Sequence, residues 1–374
     1  MAAENNREKK LPAAAFKTSV PKRIGQILAF VGVFILMIAI TLFMMLKVIC
    51  AYGASKTTFI TTVLESGQMK FLASLVMSES EIQEIVDGTK LGDIGDVSIN
   101  EGLITLPRPS IDGEKPSEEE IDMSRIEIIE IAGITYKATL MIVQDPSRVS
   151  VATTALGPDE WPEEGGVTLK GHVERAGAIG GVNGGLFNAE HYNGDHAYGI
   201  LVSNGVVYRN EPQELSGIVL VGLTNDNILQ IIDVSRMSPA QSLQMIREKG
   251  IRDAVCFQEA AGFDNNHFVQ LVINGVPREV KGAGSGLNPR TAIGQRADGA
   301  IMLLVTDGRG SSGHVGASAA DLIEIMTRYG AVNAANLDGG SSTAMYYNGG
   351  YLQNSVTFYY SHSSWQLPDA FVVK

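Results

Sequence analysis

The sequence predicts an α+β (mixed α/β) domain, with an extended mixed sheet and a few packed helices, preceded by one transmembrane helix. Three observations support this prediction. An uncharged and almost wholly apolar run extends from Ile27 to Leu46. From Ile126 onward the chain contains short segments that are rich in β-branched residues and bounded by Gly, Asn or Asp, which is typical of strands. Two segments among these strands carry helix start and stop signals, so helices accompany the sheet.

The apolar run is long enough to cross a membrane. At about 1.5 Å of rise per residue, a helix over it spans a hydrocarbon core of roughly 30 Å. A cleaved signal peptide is the alternative, because the stretch from Ala51 to Ala54 could be trimmed, but the length of the run favours an uncleaved anchor. Basic residues concentrate on the cytoplasmic side of membrane helices, so we expect a cytoplasmic N-terminus and an exported remainder. The basic residues before the run are Arg7, Lys9, Lys10, Lys17, Lys22 and Arg23.

The exported part is strongly acidic. The chain has a net charge of −12, and the tail before the apolar run holds six basic and two acidic residues, so about −16 remains on the rest. Such a surface repels phosphate backbones, and no nucleic acid partner is expected. Cys50 lies at the membrane edge and Cys256 in an apolar segment, so no disulfide framework is predicted and stability must come from a packed core.

Changes in composition divide the chain into five parts. Apolar residues at near-helical spacing between Thr57 and Ile85 indicate a juxtamembrane helix, with Gly67 as its weak point. The next segment mixes Gly, Pro and acidic residues, which is typical of a solvated, mobile linker. We therefore expect a cytoplasmic tail (1–23), a transmembrane signal anchor (24–50), a juxtamembrane helical stalk (51–86), an acidic Pro/Gly linker (87–122) and a globular domain (123–374).

Helices and strands alternate within the domain. One helix has Ser238 as N-cap and Gly250 at its end, and a second has Ser318 as N-cap and Gly330 at its end. A short apolar strand follows each helix. The predicted strands are Ile126–Ile131, Tyr136–Val143, Ile200–Ser203, Ile218–Leu223, Ile228–Val234, Ala254–Phe257, Ala300–Thr306 and Ala331–Leu337.

Three clusters combine glycines with polar residues near predicted strand ends. Glycine permits tight turns and close backbone approach to a ligand, so these clusters are candidates for a site. The first is Val182–Phe187, with Glu190 and His191 close behind it. The second is Asn288–Gly294, which leads through the strand Ala300–Thr306 to Asp307–Gly310. The third is Asn336–Thr343.

Taken in this order, the clusters resemble the phosphodiester glycosidase family over roughly residues 177–373. The resemblance rests on Asn-Gly-Gly (183–185) with an aromatic residue close behind, Pro-Arg-Thr-Ala-Ile-Gly (289–294), Asp-Gly-Arg (307–309) after a strand, and Asn-Leu-Asp-Gly-Gly-Ser-Ser-Thr (336–343) before a terminal strand. Each motif alone is weak, and the ordered set is specific. The resemblance implies a hydrolase of sugar phosphodiesters, and many bacterial relatives are described as exopolysaccharide-related. This sequence departs from the family at Leu186, where an aromatic residue is common, and in lacking an extra glycine before the serines.

A carboxylate is the first requirement of glycosyl transfer to water, because it stabilises an oxocarbenium-like state or activates the water. Asp338 is the predicted residue, since it follows an apolar strand and precedes two glycines; ordering of that turn is the structural alternative. A phosphate leaving group departs as an acidic anion, so a cationic clamp matters more than a strong general acid. Arg290 is the predicted clamp, and a salt bridge to a nearby carboxylate is its structural alternative.

Further residues of the motifs are predicted to bind the substrate. Asn183 lines the sugar pocket or forms a hairpin turn with the glycines that follow it. Asp307 and Arg309 pair with each other or orient the site. The remaining predicted substrate-binding residues are Gly184, Gly185, Thr291, Gly339, Gly340, Ser341, Ser342 and Thr343.

Carboxylates and imidazoles gather after the first motif, but their spacing does not indicate a metal site. His191 and His196 are not at a helical ligand spacing, and no nearby His or Cys completes a tetrahedral set. Glu190 and His191 are instead candidates for a general acid or base over the sugar. No cofactor is predicted, and a structural calcium ion stays open.

The sequence thus predicts a membrane-anchored extracytoplasmic hydrolase that cleaves the anomeric C–O bond of sugar-1-phosphodiesters in envelope or exopolysaccharide glycans. Its expected partners are this phosphate-linked glycan and the membrane, and the sequence does not determine an oligomeric state. One alternative is a membrane-anchored saccharide-binding protein without turnover. Another is a phosphodiesterase that cleaves the P–O bond, which would use a two-metal cluster of carboxylates and histidines that the sequence does not display.

Overall fold

The computed structural model describes residues 20–66, 69–92, 95, 97–106, 122–189, 193–261, 266–310, 313–354 and 363–374. The chain divides into two compact units, Met1–Gly53 and Ala54–Lys374. The first unit contains helix α1 (Val20–Ile49). Its segment Ile24–Ile49 is 26 residues long and apolar enough to cross a bilayer once. A membrane anchor and a signal sequence both have these properties, so the helix supports one N-terminal membrane segment of either kind.

Six shorter helices follow in the described part of the chain. Two of them begin and end where the sequence predicts. In α6 the Ser238 hydroxyl accepts a hydrogen bond from the Gln241 N–H, and Gly250 ends the helix with a φ of 61°. In α7 the Ser318 hydroxyl plays the same part. The helices are α2 (Gly53–Leu64), α3 (Phe71–Val76), α4 (Glu79–Gly88), α5 (Leu169–Arg175), α6 (Pro239–Lys249) and α7 (Ala319–Arg328).

Nineteen strands are described, and all of their pairings are antiparallel. They are β1 (Ile126–Ala132), β2 (Lys137–Val143), β3 (Val149–Thr153), β4 (Gly180–Asn183), β5 (Ile200–Ser203), β6 (Val206–Asn210), β7 (Ile218–Thr224), β8 (Leu229–Asp233), β9 (Ile251–Gln258), β10 (Ala260–Ala261), β11 (Asn266–His267), β12 (Gln270–Ile273), β13 (Val276–Pro277), β14 (Thr291–Arg296), β15 (Ile301–Thr306), β16 (Ala331–Asn336), β17 (Ala344–Tyr347), β18 (Gly350–Asn354) and β19 (Asp369–Val373).

Most of these strands form three sheets rather than the one extended sheet that the sequence predicts. A seven-stranded sheet has the order β1-β2-β15-β14-β16-β12-β13. Two five-stranded sheets have the orders β18-β17-β4-β19-β3 and β6-β5-β9-β7-β8, and β10 pairs with β11 as a separate ribbon. The α+β fold class is confirmed, with helices beside antiparallel sheets.

One large apolar core is shared by the three sheets. It contains Met141 and Leu303 from the seven-stranded sheet, Phe371 from one five-stranded sheet and Val221 from the other, all with 2% or less of their surface exposed. Smaller clusters lie under the helices: α7 packs on the seven-stranded sheet through Leu322 and its neighbours. The three sheets therefore meet at a common interior, and that junction determines where loops can converge.

The segments before the domain differ from the prediction. The predicted stalk is divided into α2, α3 and α4, and Gly67 lies outside the described residues. Helix α2 is partly buried, with Ile60 fully covered. Within the predicted solvated linker, Ile99 and Ile104 are buried in the shared core, and the Asn100 N–H bonds the Asn274 side chain. Most residues from 97 to 106 are exposed, but these two buried apolar side chains hold the segment on the domain.

Antiparallel pairing brings the motif-bearing strand ends together. In the seven-stranded sheet, Ala292 near the start of β14 pairs with Leu304 of β15 and with Asn336 at the end of β16. In a five-stranded sheet, Ala370 near the start of β19 pairs with Asn183 at the end of β4. Several strand ends thus lie close together: the ends of β4, β15 and β16 and the starts of β14 and β19.

Candidate active site

Asp338 lies at the centre of this convergence, directly after β16. The residue is partly exposed, and its Oδ1 accepts a hydrogen bond of 2.9 Å from the Gly339 N–H. Burial raises the pKa of Asp338 to about 6, and the Ser342 hydroxyl, the Gly339 N–H and the charge of Arg309 act against that increase. A carboxyl group in a partly exposed residue, with its pKa raised toward neutrality, is suited to chemistry near neutral pH.

Asn183 joins the two sheets instead of lining an open pocket. Its Nδ2 donates to the Asp338 carbonyl at 2.7 Å, and its Oδ1 accepts from the Thr291 hydroxyl at 2.7 Å and from the Ala344 N–H at 3.2 Å. Asn183 and Thr291 are both completely buried. These bonds place the two side chains among the supports of the site, whereas the sequence predicted contacts with the substrate.

A second carboxyl group, that of Asp369, lies behind the Asn183–Gly185 turn. Asp369 begins β19, is 1% exposed, and accepts a hydrogen bond of 2.7 Å from the Gly185 N–H through Oδ1. Its Oδ2 is buried without a hydrogen-bond partner among the described residues. Burial raises the pKa of Asp369 to about 7; the Gly185 N–H lowers it, and the nearby charge of Asp338 raises it further.

Arg309 supplies a cationic group beside Asp338. Arg309 is an exposed residue, and its Nη1 donates to the Ser341 hydroxyl at 2.6 Å. The positive charge of Arg309 is close enough to Asp338 to lower the pKa of that carboxyl. The backbone of Arg309 has a φ of 55°, in the left-handed region that non-glycine residues rarely adopt. Such strain is retained where surrounding structure requires a particular side-chain direction, here toward the Gly340–Ser342 turn.

Asp307 pairs with a histidine and not with Arg309. Its Oδ2 lies 2.7 Å from His314 Nδ1, and its Oδ1 accepts from the Lys137 N–H at 2.6 Å. Asp307 is buried, and the His314 side chain is 27% exposed. The carboxylate therefore links Lys137 and His314 to the segment that carries Arg309, and its orienting role stays a prediction.

Arg290 is engaged in a buried ion pair. Its guanidinium contacts the Glu65 carboxylate, the Ser285 hydroxyl at 3.1 Å and the Gly286 carbonyl at 2.8 Å. It also stacks over the Phe268 ring, with 4.9 Å between the guanidinium carbon and the ring centroid. The Arg290 side chain is 8% exposed and that of Glu65 is 2% exposed. This arrangement favours the salt-bridge alternative over a clamp for phosphate.

The other predicted residues divide into those beside Asp338 and those that cannot be placed. Gly339 and Ser342 bond the carboxylate, Ser341 bonds Arg309, and Thr343 is buried with its hydroxyl unpartnered among the described residues. Glu190 and His191 lie outside the described residues. Within the described ranges, no three His, Cys, Asp or Glu side chains group closely enough to hold a metal ion.

Sequence reasoning missed Asp369, His314 and Glu65. Asp369 had a usable signal, because an acidic residue between Pro368 and an apolar terminal strand stands at a strand boundary much as Asp338 does. The other two had none: Glu65 acts through a residue 225 positions away, and His314 lies in a loop whose course depends on tertiary contacts.

Part of the chain is similar in sequence to a known bacterial protein. The chain is 40% identical over 67 residues to the SPbeta prophage-derived uncharacterized protein YomE of Bacillus subtilis (strain 168), an alignment that covers 18% of this chain and 10% of that protein. This chain thus matches about a tenth of that relative's length.

Solved structures show limited similarity. The catalytic domain of zebrafish N-acetylglucosamine-1-phosphodiester alpha-N-acetylglucosaminidase has 19% identity and a TM-score of 0.46, with coverage of 67% of this chain and 82% of that one. A hypothetical protein from Synechocystis has 18% identity and a TM-score of 0.37, with coverage of 67% and 61%.

The family itself is established by sequence. A profile of the phosphodiester glycosidase family matches residues 176–374, which is more than half of the chain. The match includes the three motif clusters and the terminal strand with Asp369. The chain therefore belongs to the phosphodiester glycosidase family.

Proposed function

We propose that this chain is a membrane-anchored, extracytoplasmic hydrolase that cleaves the anomeric C–O bond of a sugar-1-phosphodiester. The observation that carries the proposal is the juxtaposition of the carboxyl of Asp338, a partly exposed residue, with the guanidinium of Arg309, an exposed residue; the Ser341 hydroxyl holds that guanidinium beside the same turn. A carboxylate and a cation at one solvent-accessible point match the two halves of such a substrate, a sugar that becomes cationic and a phosphate that carries negative charge.

Asp338 acts at the sugar. Above a pH of about 6 it is ionised, so it stabilises positive charge at the anomeric carbon or takes a proton from the attacking water. The water oxygen forms the new bond to the anomeric carbon, the bond from that carbon to the phosphate oxygen breaks, and its electron pair leaves with the phosphate monoester. The Gly339 N–H and the Ser342 hydroxyl fix the orientation of the carboxylate during this exchange.

Arg309 and Ser341 act at the phosphate. A guanidinium offers planar paired donors to phosphate oxygens, and Arg309 is exposed while its Nη1 bonds the Ser341 hydroxyl. A phosphate monoester is a good leaving group without protonation, so charge stabilisation is the main assistance it needs. Arg290, with its guanidinium committed to Glu65, is assigned to the structure of the domain in this proposal.

The N-terminal segment supports the proposed location of the domain outside the membrane. Helix α1 is long and apolar enough for one membrane crossing, and the excess of basic residues before it favours a cytoplasmic N-terminus. An anchored domain on the outer side meets phosphate-linked glycans of the envelope or of an exopolysaccharide, and these are the substrates that we propose.

Hydrolysis in oxygen-labelled water tests the proposal. The full-length chain in detergent is incubated with methyl phosphodiesters of several hexose and N-acetylhexosamine 1-phosphates in both anomeric forms. Label in the sugar hemiacetal supports C–O cleavage, and label in the phosphate would instead establish P–O cleavage. Saccharide binding without product from any substrate would favour the binding-protein alternative. Asp338→Asn should abolish most turnover, while Asp233→Asn, an exposed carboxylate at the end of β8, should not.

A further inference from the structure

The Asn183–Gly185 turn is held between two carboxyl groups, only one of which the proposed reaction uses. We propose that Asp369 is a positioning residue for Asp338, fixing the turn on which the Asp338 main chain rests and placing a second ionisable carboxyl next to the first. This inference rests on the proposed function, and it assigns a role to a residue that the motifs do not include.

The contact between Asp369 and the turn is direct and tight. Oδ1 accepts the Gly185 N–H at 2.7 Å, and a Cβ placed on Gly184 would lie 2.0 Å from that same oxygen. No side chain fits at position 184 without displacing the carboxyl. The glycine of the motif is therefore required by the approach of Asp369 to the backbone.

The other side of the turn holds Asp338. The Asp338 N–H donates to the Gly184 carbonyl at 3.3 Å, and its carbonyl accepts from the Asn183 side chain at 2.7 Å. Asp369 thus holds the N–H of the Gly184–Gly185 peptide, and the carbonyl of that same peptide holds the main chain of Asp338 together with the Asn183 side chain. Misplacement of a reacting group by about 1 Å costs about 10²-fold in rate, so a shift of the turn should appear in turnover.

The buried position of Asp369 also links the charges of the two carboxyl groups. Its Oδ2 has no partner among the described residues, so ionisation leaves a charge that only one N–H stabilises. Two titratable groups of the described ranges interact electrostatically with Asp369, namely Asp338 and the Cys256 thiol. Burial raises the pKa of the Cys256 thiol to about 12, so the thiol stays neutral. Arg309 faces Asp338 rather than Asp369. Since the pKa of Asp369 is about 7 and that of Asp338 about 6, Asp369 keeps its proton where Asp338 first loses its own.

The pH profile of Asp369→Asn tests the role. Asparagine keeps the oxygen that accepts the Gly185 N–H and cannot ionise. In the wild type, kcat should fall as pH rises above about 7, when a second negative charge forms beside Asp338; in Asp369→Asn this alkaline decrease should disappear. Asp253→Asn is the matched control, because Asp253 is also buried and accepts backbone N–H groups, from Val151 and Asn204, outside the site. Its profile should match that of the wild type.

Thermal melting separates this inference from the proposed function. The pKa of Asp369 is raised on folding. Its contribution to the free energy of unfolding is therefore complete below a pH of about 4 and is lost as the pH rises through about 7. The melting temperature of Asp369→Asn relative to wild type should therefore increase over that window. In an Asp338→Asn background the window should move to lower pH, because the neighbouring charge is absent. This readout needs no substrate.

A displaced turn gives a third readout. Gly184→Ala removes no titratable group and pushes on Asp369 Oδ1, so kcat should fall at least tenfold with KM within about threefold of wild type. The inference is overturned if Asp369→Asn keeps the wild-type pH profile, or if its effect on melting is the same with and without Asp338. If Asp369→Asn does not fold, as judged by the absence of cooperative melting, Gly184→Ala becomes the test, and a wild-type kcat for Gly184→Ala then overturns the inference. Absence of turnover in the wild type would refute the proposed function alone.

Discussion

Replacing Glu65 by Gln should destabilise the domain by breaking its buried ion pair with Arg290. Glu65 follows α2, its side chain is 2% exposed, and besides Arg290 it accepts bonds from the Gly286 N–H at 2.6 Å and the Asn288 amide at 3.2 Å. Glutamine has the same shape and keeps one acceptor oxygen. The substitution therefore removes the charge that compensates the guanidinium, and the new NH2 group also loses the hydrogen bonds that one of the two oxygens accepted.

The expected loss is about 3 kcal/mol. Removing one member of a buried ion pair costs about 3–5 kcal/mol, because the other charge stays buried without compensation. Arg290 keeps the Gly286 and Ala317 carbonyls, the Ser285 hydroxyl and the Phe268 ring, so the lower end applies. At about 2–4 °C per kcal/mol for a large domain, the melting temperature should fall by about 6–12 °C.

The measurement is thermal melting of the full-length chain in detergent, followed by circular dichroism. Glu324→Gln is the matched control, since Glu324 pairs with Arg328 on the exposed face of α7 with both side chains more than half exposed. Its loss should be about 0.5 kcal/mol or less. The double variant Glu65→Leu with Arg290→Met removes both charges and should recover most of the stability.

Two results would refute this reasoning. A Glu65→Gln protein that melts within about 2 °C of wild type would mean that the ion pair is not buried in solution. A marked decrease in KM for Glu65→Gln at 25 °C would mean that the released guanidinium binds phosphate, as the sequence predicted for Arg290. We expect KM to stay unchanged, because Thr291, the neighbour of Arg290, bonds Asn183, while the Arg290 side chain contacts Glu65 and the 285–286 loop.

Three further predictions concern the proposed site. Asp338→Asn should lower kcat by about 10²–10⁴-fold without lowering the melting temperature, measured by steady-state kinetics and thermal melting beside Asp233→Asn. Arg309→Ala should lower kcat/KM by about 10²-fold, and Arg309→Lys should recover only part of it, because lysine keeps the charge without the planar pair of donors; equal activity of the lysine variant would exclude that geometry. The wild-type kcat/KM should rise with pH through about 6, since Asp338 must lose its proton, and a flat profile from pH 5 to 7 would show that its ionisation is not required.

Part of the secondary structure of the domain could be read from the sequence: eight of the nineteen described strands and the helices α6 and α7 correspond to predicted segments. The helices with Ser238 and Ser318 as N-caps carry short-range signals that act within three residues, and the structure reproduces both. The predicted strand Ile200–Ser203 is also reproduced residue for residue. Strands such as β4 and β14 were not identified, because glycines interrupt their apolar pattern and their register is set by partners distant in sequence.

The site was predictable at the level of motifs and less so at the level of roles. Asp338 is reachable by solvent at a strand end, as its position in the sequence indicates. The direction of the neighbouring side chains was not predictable, because adjacent residues of an extended segment face opposite ways and the sequence does not say which way is inside. Thr291 faces Asn183 as a result, and Arg290 meets Glu65, which the sequence assigned to a separate stalk.

The position of Asn183 shows why this site needs its buried motif residues. Strand β4 belongs to a five-stranded sheet, whereas β14 and β16 belong to the seven-stranded one, so the polar groups that end these strands have no ladder partner across the junction. A buried polar group left without a partner costs about 1–3 kcal/mol. The single Asn183 amide satisfies the Asp338 carbonyl, the Thr291 hydroxyl and the Ala344 N–H, and it thereby locks one sheet to the other. The Asp338 main chain is held in place because the two sheets share this amide, and Asp369 fixes the Asn183–Gly185 turn from the other side through the Gly185 N–H.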